Sequence, residues 1–535
     1  MSDFDLFDDF GKGAKGECES FFVYLLDIDS ILKIHMMKKF FILLALAVLA
    51  CGCSSATRQE QTSTRPEIRF KDGKLKIVQF TDVHWSNEDS DVRVPQIMNA
   101  VLSAEKPDII VFTGDVVTGG PVIENWTKFV DFMHGIGIPY AVVMGNHDPE
   151  THSVADGSVQ WSRQATRDTI FTILEKSPLF LGERGPAELQ GMGNYVLPVL
   201  ASDGSDKVGG LLYCMDSYDY ADNKDFAGKY GWFSFEQILW YREQSKEYTK
   251  SNGGKPVPSF AFFHIPLPEY AEIKTYERTV GNRSEGVYSG ELNSGMFSSM
   301  YEMGDVMATF VGHDHNNDYI GLYGGIALAY GKATGVDTYG DNVKGGRVIM
   351  MYEGQKYFDT WLRDEFGNKT DLFYYPSGAS DEEIAKYKEH PSHDVSPEQK
   401  GVSYTYYEGP FESVGKFETE GKVVEKGVMQ TFDISGAKSQ NHFGYEFDCW
   451  FYAPESDLYD FHLSSDDGAV ITIDGEIVVD LDGSHSIRHE SGSIRLEKGF
   501  HDFELRYFDD SDGQELSVAV MSRRMTGFED AIYVK

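Results

Sequence analysis

Five short motifs in this chain carry residue types that bind metal ions: Asp82-x-His84, Gly114-Asp115, Gly145-Asn146-His147-Asp148, His264 and Gly312-His313-Asp314-His315. Carboxylate, amide and imidazole donors suit Fe, Mn or Zn, and the lack of a thiolate argues against a structural zinc site. Two such ions about 3.5–4 Å apart share an activated hydroxide and neutralise charge on phosphoryl oxygens. Those are the two requirements for cleaving a phosphate ester at neutral pH. Singly the motifs mean little, because Gly-Asp more often marks a turn and a lone His more often sits satisfied in a core. All five, each closing an apolar run, read as one site.

The elements that must position them are visible as well. Residues 75–80, 108–113, 140–144, 259–263 and 307–311 are predominantly apolar, and each run stops on Asp, Asn or His, often beside Gly. Such runs, alternating with helical stretches, indicate an α/β layered core with buried strands. Ligands of α/β sheets bind beyond the carboxyl ends of the strands, where loops converge.

In this order the motifs resemble the calcineurin-like metallophosphoesterase superfamily, over about residues 70–360. The stretches His264-Ile265-Pro266-Leu267-Pro268-Glu269 and Gly312 to Tyr319 are similar to a purple-acid-phosphatase-like subgroup. The resemblance implies an α/β-β/α sandwich and two divalent transition-metal ions. Asp82, His84 and His315 would hold one ion, Asn146, His264 and His313 the other, and Asp115 would bridge them. His147 would face the substrate as transition-state stabiliser or proton donor. Asp148, next in sequence, is expected to orient that imidazole. Purple acid phosphatases place an iron-binding tyrosine three residues after the bridging aspartate. Thr118 stands there instead, so an Fe(III) site and a purple colour are not expected.

The 535 residues exceed one hydrophobic core, and 41% hydrophobic with 25% charged residues is an ordinary globular balance. A formal net charge of −37 excludes nucleic acid as a partner, since such a surface repels phosphate backbones. Bound metal ions would have to attract an anionic substrate. Cys18, Cys51, Cys53, Cys214 and Cys449 form no C-x-x-C pair, and Cys214 and Cys449 are expected to be buried free thiols.

Lys38-Lys39, the apolar residues 40–50 and Cys51-Gly52-Cys53 resemble a bacterial lipoprotein signal. Residues 37–53 are therefore expected to direct secretion and residues 1–36 to be a non-native extension. Lipid attachment at Cys51 or Cys53, each of which matches the pattern only in part, would anchor the protein in the cell envelope. Residues 54–66 read as a polar linker.

Residues 67–365 are expected to form the metallophosphoesterase domain and 366–400 a linker with one short helix. Residues 401–535 turn all-β, with alternation at 459–463 and 503–507 and turns at Asp466-Asp467-Gly468, Asp474-Gly475, Asp482-Gly483 and Asp512-Gly513. These turn motifs resemble the β-sandwich of anthrax protective antigen, which implies glycan binding. In adhesin relatives an Asp-Asp pair binds calcium, a role that maps onto Asp466 and Asp467; an ion-free turn is the alternative.

The expected activity is hydrolysis of small phosphomonoesters. A phosphodiesterase or nucleotidase with the same metals, and a carbohydrate-binding lipoprotein with a vestigial site, are the alternatives.

Overall fold

The run at 75–80 forms the strand Lys74–Phe80, which pairs in parallel with Ile109–Thr113; that strand pairs in parallel with Tyr140–Val143. Gly345–Tyr352, Phe358–Asp364 and Lys369–Tyr375 extend the other side antiparallel, completing a six-stranded sheet. A second six-stranded sheet centres on Ser259–Phe262, parallel to Val208–Cys214 and to Val306–Val311. The computed structural model describes residues 66–155, 158–273, 278–511 and 513–535. The expected extension, signal and all but the last residue of the polar linker lie outside the described residues. Among the described residues no helix is long and apolar enough to cross a membrane.

The two sheets stack through Ile77, Val111, Val143, Leu212, Phe260 and Phe310. On the outer face of the first, Val78 and Phe112 meet Met98 of the helix Ser90–Glu105 and Trp126, Phe129 and Met133 of the helix Val122–Ile136. On the outer face of the second, Leu211 and Tyr213 meet Tyr241 and Met300 from Phe235–Ser251 and Met296–Met303. Successive strand residues thus point into different apolar layers, which is why the central strands read as unbroken apolar runs. The result is the expected layered α/β sandwich.

An all-β domain follows. Asp457–Asp466, Arg488–Leu496 and Glu515–Ser522 lie in one sheet; Val402–Glu408, Phe443–Ala453, Gly499–Asp509 and Ala469–Ile473 lie in the other. Phe447, Phe461, Ile471, Phe503 and Leu505 fill the core between them.

The linker expected at 366–400 is corrected at both ends. Lys369–Tyr375 is an edge strand of the first sheet, and Glu389–His390 pairs with Arg495 and Leu496 of the β-domain. Edge strands expose one row of backbone groups and tolerate charge, so Lys369 and Asp371 disguise the strand as a loop. The expected short helix is there, at Asp381–Ile384. Arg278 holds the domains together, with Nη2 2.9 Å from Asp460 Oδ1 and Nε 2.8 Å from Glu383 Oε1.

Candidate metal centre

All five motif-bearing strands deliver their last residues to one edge, and backbone hydrogen bonds join the loops there. The amide of Asp82 donates to the Gly114 carbonyl (3.1 Å), that of His84 to Asp115 (3.0 Å), and that of Gly312 to His264 (3.1 Å). Two glycines permit the close approach. A Cβ on Gly145 would stand 2.2 Å from Asp115 Oδ1, and one on Gly312 1.8 Å from Thr81 Oγ1. Asp82, His84, Asp115 and His313 all have positive φ, between 47° and 77°. Non-glycine residues rarely adopt that conformation, which costs about 1–3 kcal/mol each and persists only where the surroundings impose it.

The buried side chains fall into two groups. Asp82, His84 and His315 present ligand atoms within 4.8 Å of one another, as do Asp115, His264 and His313. His315 Nε2 lies 3.2 Å from Asp82 Oδ1, and His264 Nε2 lies 3.2 Å from Asp115 Oδ2. The groups adjoin, because the His313 amide donates to both oxygens of Asp82 at 3.2 and 3.1 Å. Asn146 is fully buried beside them, its amide nitrogen 3.4 Å from the Tyr220 hydroxyl. His84 Nε2, Asn146 Oδ1 and His315 Nδ1 have no hydrogen-bond partner among the described residues. Buried polar atoms are seldom left unsatisfied, and a pair of cations fits these donors.

Electrostatics prepare the donors. Burial would raise the Asp82 carboxyl, but the charge and hydrogen bond of His315 bring it down to about 2. Burial, with His315, lowers His84 to about 3, so its imidazole is neutral and able to ligate. Burial opposes protonation of His264, yet Asp115 pushes it up to about 10. A cation there competes with that proton.

Asp148 does something other than orient His147. Its carboxylate accepts from the amides of Gly145 (2.6 Å), Val116 (2.7 Å), Asp115 (3.1 Å) and Val117 (3.2 Å). It ties the loop carrying Asp115 to the loop carrying Asn146. An adjacent side chain cannot swing back onto the preceding imidazole while its oxygens are so engaged. The His147 ring pairs with Glu150 instead, Nδ1 to Oε2 at 2.9 Å, and lies on Trp161 with centroids 3.6 Å apart. Sequence reasoning missed Glu150; the only signal was its position three residues beyond His147.

A cleft of about 630 Å³ opens over the centre, lined by His84, Asp115, His147, His313 and His315 and walled by Trp161, Tyr230, Tyr288 and Tyr339. Of the aromatics between 148 and 259, Trp161 and Tyr230 line it, whereas Tyr213 is buried core whose hydroxyl donates to Asp305 at 2.8 Å. Arg347 is buried and donates to the Tyr330 and Asp318 carbonyls, away from the ligands.

In the β-domain, Asp467 accepts amide hydrogens from His485 (2.8 Å) and Asp510 (2.7 Å). Asp509 is fully buried, and its two carboxylate oxygens have no hydrogen-bond partner among the described residues. Burial, and then Asp467, Asp466 and Asp510, push its carboxyl up to about 7.

Residues 75–317 match the calcineurin-like phosphoesterase family model, and 398–531 match that of the PA14 domain. Probable inactive purple acid phosphatase 29 of Arabidopsis thaliana is 33% identical over 348 residues, 58% of this chain and 85% of the relative. Probable inactive purple acid phosphatase 14 of the same plant is 31% identical over 54% of this chain and 78% of its own length. Phosphatase DCR2 of Saccharomyces cerevisiae is 29% identical over 49% and 48%.

Proposed function

The chain belongs to the calcineurin-like phosphoesterase family, and on that footing we propose that it is an active hydrolase of phosphate monoesters. The observation that carries this reading is the complete donor set, with buried nitrogen and oxygen atoms that no group among the described residues satisfies. A decayed site would have lost at least one ligand, although two relatives bear the word inactive in their names. Asp82, His84 and His315 would hold one ion of Fe, Mn or Zn; Asn146, His264 and His313 would hold the other, with Asp115 between them.

When bound, the ion pair lowers the pKa of the attacking water and neutralises phosphoryl charge. The remaining work falls to side chains. Trp161 fixes the plane of His147, and Glu150 engages Nδ1, which leaves Nε2 to protonate the departing alkoxide. The cleft's mouth beside these groups receives the alcohol. Full-length protein supplied with Mn²⁺, Zn²⁺ or Fe²⁺ should turn over p-nitrophenyl phosphate faster than its bis ester or nucleotides. Metal-bound protein that turns over none of them would overturn the proposal in favour of a vestigial site.

The proposal extends to the β-domain, which would dock glycan or cell-surface polymer with calcium held by Asp466, Asp467 and Asp509. Hard carboxylate oxygens suit Ca²⁺, and the unpartnered Asp509 supports a cation there. Calcium should raise the melting temperature of the wild type and leave Asp509→Asn unmoved; an equal shift in both refutes the site. Secretion and lipid attachment at Cys51 or Cys53 complete the reading. Labelled palmitate still incorporated by a Cys51→Ser, Cys53→Ser double variant would refute that part.

A further inference from the structure

Two lysines, one lining the cleft and one on a tyrosine behind its wall, stand without a carboxylate partner among the described residues, in a chain with 85 acidic and 48 basic residues. Lys229 lines the cleft; its Nζ donates to the Tyr230 hydroxyl at 2.7 Å and lies 4.6 Å from that ring's centroid. Lys224 Nζ lies 4.7 Å from the centroid of Tyr220. The two tyrosines are joined by a β-bridge and stack with centroids 6.0 Å apart, so both ammonium groups are carried on one aromatic pair. Of the other cations nearby, Lys332 pairs with Asp318 at 2.7 Å and Arg163 with Asp219 at 2.6 Å, while Lys344 donates to the Thr338 hydroxyl at 2.7 Å. Burial, and then the charge of Lys224, hold the Lys229 ammonium below its ordinary value. The two cations feel each other, and among the described residues neither forms an ion pair with a carboxylate.

Their place relative to the cleft says what would compensate. Tyr230 meets the ligand His313 edge-on at 4.5 Å, and the Tyr220 hydroxyl lies 3.4 Å from His147 Nδ1. The lysines are thus one ring removed from the metal ligands, on the side of the imidazole that would protonate the leaving oxygen. The wall beside His315 is acidic: Tyr339 stacks on His315 at 4.1 Å and donates to Glu285 at 3.0 Å. An anion in the cleft is therefore drawn to the lysine side.

We infer that the cleft takes phosphate monoesters whose alcohol carries a second anionic group, a further phosphate above all, held by Lys224 and Lys229. Lysine serves phosphate as a compact point charge with rotatable donors. The inference rests on the phosphomonoesterase reading and narrows its substrate class.

Calorimetric titration of metal-loaded, full-length protein with propane-1,3-diphosphonate and with propylphosphonate tests it without turnover. The diphosphonate should bind at least about tenfold more tightly, as expected for charge-assisted hydrogen bonds to the second anion. The ratio of the two affinities should fall to about one in a Lys224→Met, Lys229→Met double variant. Equal affinities in the wild type, or a ratio that survives in the variant, would overturn the inference. Parallel assay on p-nitrophenyl phosphate separates the two readings. Turnover without a diphosphonate preference removes only the second-anion site, while a lysine-dependent preference without turnover removes only the proposed activity.

Discussion

His147 Nδ1 lies 2.9 Å from Glu150 Oε2, three residues along the chain, while the adjacent Asp148 binds four backbone amides instead. Partners of this kind fix the tautomer of an imidazole and raise its basicity. Glu150→Gln should lower kcat for p-nitrophenyl phosphate by about 10- to 100-fold while metal content stays at the wild-type level. Unchanged kcat would mean that the contact is structural only.

The bridging and proton-donating roles separate in two variants. Asp115→Asn should lose both ions and activity, because the proposal gives Asp115, grouped with His264 and His313, the bridge to the second ion. His147→Ala should retain both ions and lose about 100- to 10,000-fold in kcat. Metal analysis beside steady-state kinetics checks the pair; metal loss in His147→Ala would show the role to be misassigned.

Gly145→Ala tests the packing that orients Asp115. Its Cβ would stand 2.2 Å from Asp115 Oδ1 and 2.4 Å from the Asp115 amide, with no flexible side-chain end to yield. The expected outcome is loss of metal with the fold retained, read by metal content and circular dichroism. Wild-type metal content in this variant would show that the loop can shift.

Acid stability should depend on Glu105. Burial would raise its carboxyl, but hydrogen bonds from Trp361 and Arg363 and the charges of Arg363 and Lys76 hold it below the ordinary 4.5. The folded value is depressed, so the stabilisation is fully present above pH 4.5 and is lost as pH falls through the folded value. Melting temperatures of Glu105→Gln should therefore lie below wild type at neutral pH and converge with it in acid. A constant gap down to the acid transition would contradict the linkage.

Much of the site was legible in the sequence because metal ligands are a matter of residue type. Asp82, His84, Asp115, Asn146, His264, His313 and His315 announce themselves by ending apolar strands, and strands buried on both faces are written as apolar runs. The order of motifs pointed to one common edge without coordinates, although the strands that carry them divide between two sheets. The edge strand Lys369–Tyr375 was not legible, since its charges at 369 and 371 answer to solvent rather than to pairing.

Partnership between side chains was beyond the sequence. Asp148 and Glu150 are equally plausible companions for His147, and only backbone geometry assigns one to four amides and the other to the imidazole. Likewise Lys224 and Lys229 are unremarkable surface residues until the chain stacks Tyr220 on Tyr230 beside the ligands. Residue type fixes what chemistry is available. Which groups are desolvated together, and hence which charges lack a partner, is settled only when distant segments pack.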